Sequence, residues 1–275
     1  MSNNIKTPSL SVVIPVFNEH KTIEQIFDRV YNNELVSEII IVDDCSTDGT
    51  FEIIQNIVKK ELPNKRIEIK IYQNKKNMGK GSALRSGFKL ATSEVIVIQD
   101  ADLEYNPKEY SNLILPIAED KADVVYGSRF LGGTRRVLFF WHYIGNKALT
   151  LMSNIFSNLN LTDMETCYKM FRRSTLEKFN LQSNRFGFEP EFTAKIAKAN
   201  LRVYEMPISY DGRTYKDGKK ITWKDGIAAF YHILYFNISV GYFYSFLILF
   251  IIITPFRLGL CLGFDYYFRS KIIKK

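Results

Sequence analysis

At 275 residues with 46% hydrophobic content, the chain can bury the core of one substantial α/β domain with an appendage, which excludes a disordered protein. Its net charge of +8 suits anionic partners, and nucleic acid, acidic lipid headgroups and phosphorylated substrates all satisfy that condition. Three widely spaced cysteines, Cys45, Cys167 and Cys261, form no CxxC pair, which excludes a disulfide framework or a zinc site and fits a reducing, cytosolic setting.

The N-terminal MSNNIKTPSL is polar and lacks the basic-then-apolar order of a signal sequence, so no export is expected. From there short apolar runs alternate with helical patterns, as in a parallel sheet wound by helices. Strands are predicted at residues 10–15, 38–43, 67–73, 95–99 and 123–127. Helices are predicted at 21–31, 50–62, 81–91 and 107–118, the second after the Asp48-Gly49 turn and the fourth opened by Pro107. This makes a Rossmann-like half with right-handed crossovers. Beyond it a helix is expected over 141–159, a strand over 168–171, a helix over 189–199 and a strand over 202–207. Residues 211–225, DGRTYKDGKKITWKD, have no apolar period and read as a basic loop.

Residues 226–256 are 31 consecutive positions without a formal charge. About 20 apolar residues suffice to cross a bilayer, so this run reads as one span or a re-entrant hairpin, with a buried core helix as the plainer alternative. Basic residues flank both sides, and the positive-inside comparison does not settle orientation. The expected organisation is a catalytic domain over 1–225, with a donor half at about 8–130 and an acceptor half at about 131–225. A membrane-associated segment follows over 226–275.

The central chemical feature is QDADLE, directly after the strand at 95–99. Ligands of open α/β sheets bind outside the carboxyl ends of the strands, so Asp100 and Asp102 are expected at the mouth of a cleft. Alternate carboxylates there, with a third oxygen from Glu104, can share a hard divalent cation, Mg²⁺ or Mn²⁺. The plainer reading is a solvated acidic turn before Pro107. VVIPVFNEH and VDDCSTDGT place further acids after strands on the same edge, where carboxylates can accept hydrogen bonds from ribose or base. Helix capping accounts for the Ser, Thr and Asn in them but not for the adjacent Asp43 and Asp44. NKKNMGKGSALRSG, which contains Lys80, sets a basic glycine turn before a helix N-terminus, a place for phosphate or base contacts.

In this order and spacing, IPVFNE, VDDCSTDGT, NMGKGSALRSG, QDADLE and GSRF resemble the family 2 glycosyltransferases of the GT-A fold, in particular the dolichyl (polyprenyl) phosphate mannose or glucose synthases. The resemblance spans about residues 10–225. It implies that Pro15, Phe17 and Glu19 line the nucleotide, with Phe17 in place of the commoner Tyr. It implies that Val42, Asp43 and Asp44 meet base and ribose, and that Asp100, Ala101 and Asp102 bind donor and metal. Glu104 replaces the usual Gln, keeping an oxygen ligand and adding charge. Arg129 is implied to meet the donor or acceptor phosphate, and Arg213 and Lys219 to close over the donor diphosphate. Residues 163–173 occupy the place of the family's acceptor-side motif, with Glu165, Thr166 and Cys167 differing from its usual pair.

The expected reaction is inverting transfer of a hexose from GDP-mannose or UDP-glucose to a polyprenyl phosphate, with Asp100, Asp102 and Arg129 as catalytic residues. A phosphate monoester is largely dianionic near pH 7, with a second pKa of about 6, and needs no base to attack. The expected placement is at a membrane, with the catalytic domain facing the cytoplasm. One rival is a transferase of the same fold acting on a hydroxyl acceptor, although the QxxRW motif of processive members is absent. A rival of another class is a non-catalytic, nucleotide-binding membrane adaptor. Nucleic-acid binding is not expected, because the aromatics gather in the apolar tail instead of alternating with lysines.

Overall fold

Near-continuous apolar runs make central strands that are covered on both faces. Strand β1 (Leu10–Val16) reads LSVVIPV and β4 (Val95–Ile98) reads VIVI, with every residue of β4 buried. β2 (Val36–Asp43) lies beside β1, and the more polar and exposed β3 (Glu68–Gln73) forms an edge. With β5 (Val124–Ser128), β6 (Lys169–Arg172) and β7 (Val203–Pro207), they form a seven-stranded sheet in the order β3-β2-β1-β4-β6-β5-β7. The computed structural model describes residues 7–60, 66–132, 136–137, 139–214 and 223–238.

The sheet is mostly parallel, as expected, with β1 to β4 and the β5–β7 pair each running one way. β6 is the exception: it runs antiparallel to both β4 and β5 and joins the two halves. Each predicted strand is present with ends within two residues of expectation. The helices are α1 (Ile23–Tyr31), α2 (Thr50–Lys59), α3 (Lys80–Leu90), α4 (Tyr110–Ala118), α5 (Phe140–Ser157), α6 (Phe188–Lys198) and α7 (Trp223–Asn237). The helix expected from Pro107 begins as a 3-10 turn before α4.

Residues 226–237 of the expected membrane segment belong to α7, which packs on α5 and α6. The remainder of that segment from residue 239, and residues 215–222 of the basic loop with Lys219, lie outside the described residues. No described helix is long and apolar enough to cross a membrane.

Two constraints position the cleft. The chain leaves three adjacent parallel strands through left-handed residues, Asn18 (φ 53°), Cys45 (φ 64°) and Leu103 (φ 66°). Such a turn reverses the chain at once, which keeps the side chains on either side of it near the strand ends, at roughly 1 kcal/mol or more for a residue such as leucine. The second constraint is the close seating of α3. A Cβ at Gly87 would lie 2.5 Å from Val13 Cγ1, and one at Gly81 would lie 2.4 Å from the Ser183 carbonyl oxygen.

Substitution Gly81→Ala therefore meets backbone that has no side chain to move aside. We expect it to destabilise the fold by about 1–3 kcal/mol in urea or thermal unfolding. Gly145→Ala in α5, where an added Cβ meets nothing within 4 Å, is expected to be neutral or to stabilise by up to about 1 kcal/mol. Equal effects at the two positions would refute the tight seating of α3.

Candidate functional site

The strand ends open on a cleft of about 470 Å³ lined by Pro15, Phe17, Glu19, Asp44, Lys80, Asp100, Ala101, Asp102, Glu104, Arg129 and Arg213 among others. Eleven residues singled out from the sequence thus share one cavity. Val42 and Asp43 do not line it. Val42 is fully buried and faces α3 at Gly87. Asp43 is also fully buried and accepts hydrogen bonds from the Ser46 backbone N–H and the Gln73 amide, each at 3.0 Å.

Asp44 organises the turn that precedes α3. Its carboxylate accepts from the backbone N–H groups of Met78 (3.1 Å) and Gly79 (2.6 Å) and from the Asn74 amide (2.7 Å). This brings Lys80 to the cleft, where its ammonium lies 3.0 Å from Asp100 and 3.2 Å from Glu189. Burial opposes the charge on Lys80, but Asp100 and Glu189 help hold it well above the ordinary lysine range. Asp100 itself follows Gln99, a buried anchor whose side-chain oxygen accepts from the Tyr110 and Tyr168 hydroxyls at 2.6 and 2.7 Å.

A second cation holds the other acids. The Arg213 guanidinium lies 3.0 Å from Asp102, 3.5 Å from Glu19 and 3.5 Å from Glu104. Glu104 also accepts from the Arg213 backbone N–H (2.8 Å) and the Tyr210 hydroxyl (2.8 Å), tying the chain after β7 to the turn after β4. The charge that Glu104 adds relative to glutamine is thus matched by a guanidinium. Burial, with Asp100 and Glu104 beside it, pushes the Asp102 carboxyl up to about 7 despite Arg213. The site therefore carries more negative charge than its own cations offset.

This bears on a divalent metal. Asp100, Asp102 and Glu104 are not gathered as one cage: Asp100 is drawn to Lys80, the other two to Arg213. Among the described residues no group of three or more His, Cys, Asp and Glu side chains could hold a metal by itself. The donor set nevertheless fits Mg²⁺ or Mn²⁺, which is held by one or two carboxylates together with substrate phosphates. Asp102 supplies a hard oxygen whose ionised form lacks full compensation.

Arg129, expected on the acceptor side, has a partner that sequence reasoning missed. Asp163 receives its Nε and a terminal nitrogen at 2.6 and 2.7 Å and its backbone N–H at 3.1 Å. The guanidinium also lies 5.2 Å from the Tyr210 ring centroid. Such a two-point grip fixes the plane of the guanidinium and leaves its remaining donors directed. Glu165, Cys167 and Glu189 line the cleft as well. Glu165 and Cys167 fall in the segment marked as acceptor-side, but the Glu165 carboxyl answers to burial, Glu189 and the fully buried Lys169, and burial with Asp100 pushes the Cys167 thiol up, which no local spacing reveals.

Burial, with Glu189 close by, raises the Glu165 carboxyl to about 8, outweighing Lys169 and Arg129. In an unfolded chain it titrates near 4.5. The folded state thus binds the extra proton between about pH 5 and pH 8, and this contribution to stability is lost as pH rises through that window. Glu165→Gln is expected to match the wild type near pH 5 and to exceed it by roughly 2 kcal/mol near pH 8. A difference independent of pH, measured by unfolding across the range, would overturn this.

The family profile described as Glycosyl transferase family 2 matches residues 11–179. A dolichol-phosphate mannosyltransferase of Pyrococcus furiosus is 29% identical over 215 residues, which are 76% of this chain and 58% of that protein. A dodecaprenyl-phosphate galacturonate synthase of Rhizobium johnstonii is 24% identical over 244 residues, 87% of this chain and 68% of that one. Among solved structures, glucosyl-3-phosphoglycerate synthase of Mycobacterium tuberculosis, in complex with Mn²⁺, UDP and glucosyl-3-phosphoglycerate, superposes with a TM-score of 0.63. It shares 18% identity over 85% of this chain and 82% of its own, a likeness of fold. The architecture is thus GT-A-like, α/β with a mostly parallel sheet.

Proposed function

The chain belongs to glycosyl transferase family 2, and from that premise we propose that it moves a hexose, mannose or glucose, from a nucleoside diphosphate sugar to a polyprenyl phosphate. The observation that carries the reading is the arrangement of cations along the cleft. Arg213 and Lys80 sit among the acids at the strand ends, and Arg129 stands apart in the grip of Asp163. Two separate cationic positions suit two phosphorylated substrates. The relatives named above support a polyprenyl phosphate acceptor by their names, and those names differ in the sugar.

In this reading the diphosphate lies over Asp100, Asp102 and Glu104, with Pro15, Phe17, Glu19 and Asp44 along the nucleotide. Arg213 exchanges its carboxylate partners for phosphate oxygens, which its planar fork suits. Lys219 joins it from the basic loop. Arg129 orients the acceptor phosphate for in-line attack at the anomeric carbon, and the acceptor's own charge makes a base unnecessary. Mg²⁺ or Mn²⁺ on Asp102, with Asp100 and Glu104 beside it, would neutralise the departing diphosphate. Positioning and charge compensation by the protein supply the remainder. We place the catalytic domain, expected over 1–225 and carrying α7 packed on α5 and α6, at the cytoplasmic face of a membrane, with the membrane-associated segment in the residues that follow α7.

Glu165 favours one second reading. A carboxyl with a pKa of about 8 inside the cleft could serve as the base that a hydroxyl acceptor requires.

Purified full-length protein given Mn²⁺ and polyprenyl phosphate is expected to form glycolipid with one of a panel of nucleotide sugars. The productive donor should also raise the melting temperature, by the equivalent of about 2.7 kcal/mol at a hundredfold excess over its Kd. Asp102→Ala is expected to lose both. No glycolipid from any donor, with donor binding unchanged in Asp102→Ala, would sink the proposal. Glu165→Gln separates the acceptors: a loss of less than about tenfold supports the phosphate, and a loss of about 10²–10⁴-fold supports the hydroxyl.

A further inference from the structure

The cleft has two charged ends and a middle. At one end Asp102 and Glu104 stand with Arg213, and at the other Arg129 lies in the grip of Asp163. Lys80 bridges Asp100 to Glu189, in the first turn of α6, at 3.0 and 3.2 Å. Glu165 lies close enough to both Glu189 and Arg129 for each to move its proton affinity. The two carboxyls therefore span the middle of the cleft, which both of them line. With the diphosphate at the first end and the acceptor phosphate at Arg129, the transferred sugar occupies this middle, because in-line attack sets the anomeric carbon between the leaving and attacking oxygens. That placement rests on the function proposed above.

Each of these carboxyls keeps one oxygen in want of a partner. Glu165 Oε1 and Glu189 Oε2 are buried and make no hydrogen bond, a state that costs stability until a ligand completes it. The hydroxyls of a sugar can do so. The cations near them among the described residues are committed elsewhere. Lys80 is shared by Asp100 and Glu189, and Arg129 is matched by Asp163. Lys169 is fully buried and donates to the Met164 and Thr166 carbonyls. Arg185, a further cation of the lining, is exposed and lies over Gly79, whose N–H is bonded to Asp44 on the nucleotide side. Glu165 itself gauges the outcome, because burial and Glu189 hold its carboxyl protonated up to about 8 despite Lys169 and Arg129. Any other carboxylate brought to the same place meets the same opposition.

We propose that Glu165 and Glu189 select the transferred sugar: they bond the hydroxyls of an uncharged hexose and exclude the matching hexuronate. A hydroxyl answers to Glu165 in either state, accepting from the protonated carboxyl and donating to the ionised one. A carboxylate on the ring would stand among Asp100, Glu165 and Glu189, and like charges set together are an effective means of refusing a ligand. Exchanging a hydroxymethyl group for a carboxylate also removes a donor from a place where acceptors are in excess.

The test uses donors paired by base, UDP-glucose with UDP-glucuronate and GDP-mannose with GDP-mannuronate. Their dissociation constants are measured by calorimetry on the full-length protein with Mn²⁺ at neutral pH. In the pair whose base is bound, the hexose is expected to bind at least about tenfold more tightly than its uronate. Equal or tighter binding of the uronate would overturn the proposal. Glu165→Gln with Glu189→Gln keeps the size and hydrogen bonding of both side chains, and is expected to bring the ratio to within about threefold. An unchanged ratio in that variant would also overturn it. Each ratio compares two ligands on one protein, so a structural defect, which weakens both, does not imitate the effect. The wild-type ratio decides the matter even where the double variant does not fold. Binding of none of the four donors would refute the function proposed above and this selection with it, whereas hexose binding without discrimination refutes the selection alone.

Discussion

The site is governed by the cost of crowding carboxylates into a shielded cleft. Glu19, Asp100, Asp102 and Glu104 arrive after two adjacent strands because β1 and β4 run parallel and deliver the chain to the same edge of the sheet. Brought together without cations, they would repel one another and lose hydration at once. Arg213 and Lys80 lower that cost, and each comes from a different part of the chain: Lys80 from the start of α3, Arg213 from beyond β7. Closure of the sheet and assembly of the site are therefore one event. The compensation is incomplete at Asp102, where burial with Asp100 and Glu104 raises the carboxyl despite Arg213.

The surroundings of Arg129, the proposed acceptor side, use the opposite device. Arg129 is held by Asp163, and the segment carrying Asp163 is itself fixed by Glu205, which accepts from the Thr162 and Asp163 backbone N–H groups at 2.8 and 3.2 Å. β6 supplies the reason this segment reaches the site. Running against its neighbours, it starts at the end of the sheet where β4 and β5 finish, so the residues just before it lie over the cleft. Laid parallel to its neighbours, β6 would have delivered its leading loop to the opposite edge of the sheet.

Much of this was legible in the sequence, and for identifiable reasons. β4 and β2 read as strands because a strand covered on both faces must be apolar throughout. Asp100 and Asp102 were legible because they directly follow a strand, and Lys80 because it sits in a glycine turn before a helix. Strand direction leaves no trace in apolar periodicity, so the reversal of β6 was not visible. The Arg129–Asp163 pair joins residues 34 positions apart across that reversal, and it could not be read without it. Lys169 lies in an apolar strand pattern as a lone base and is buried entirely, donating to the carbonyls of Met164 and Thr166. Only the local course of the chain makes that position tolerable. The same limit applies to α5: its period announced a helix, but a stripe of apolar residues does not say whether protein covers it.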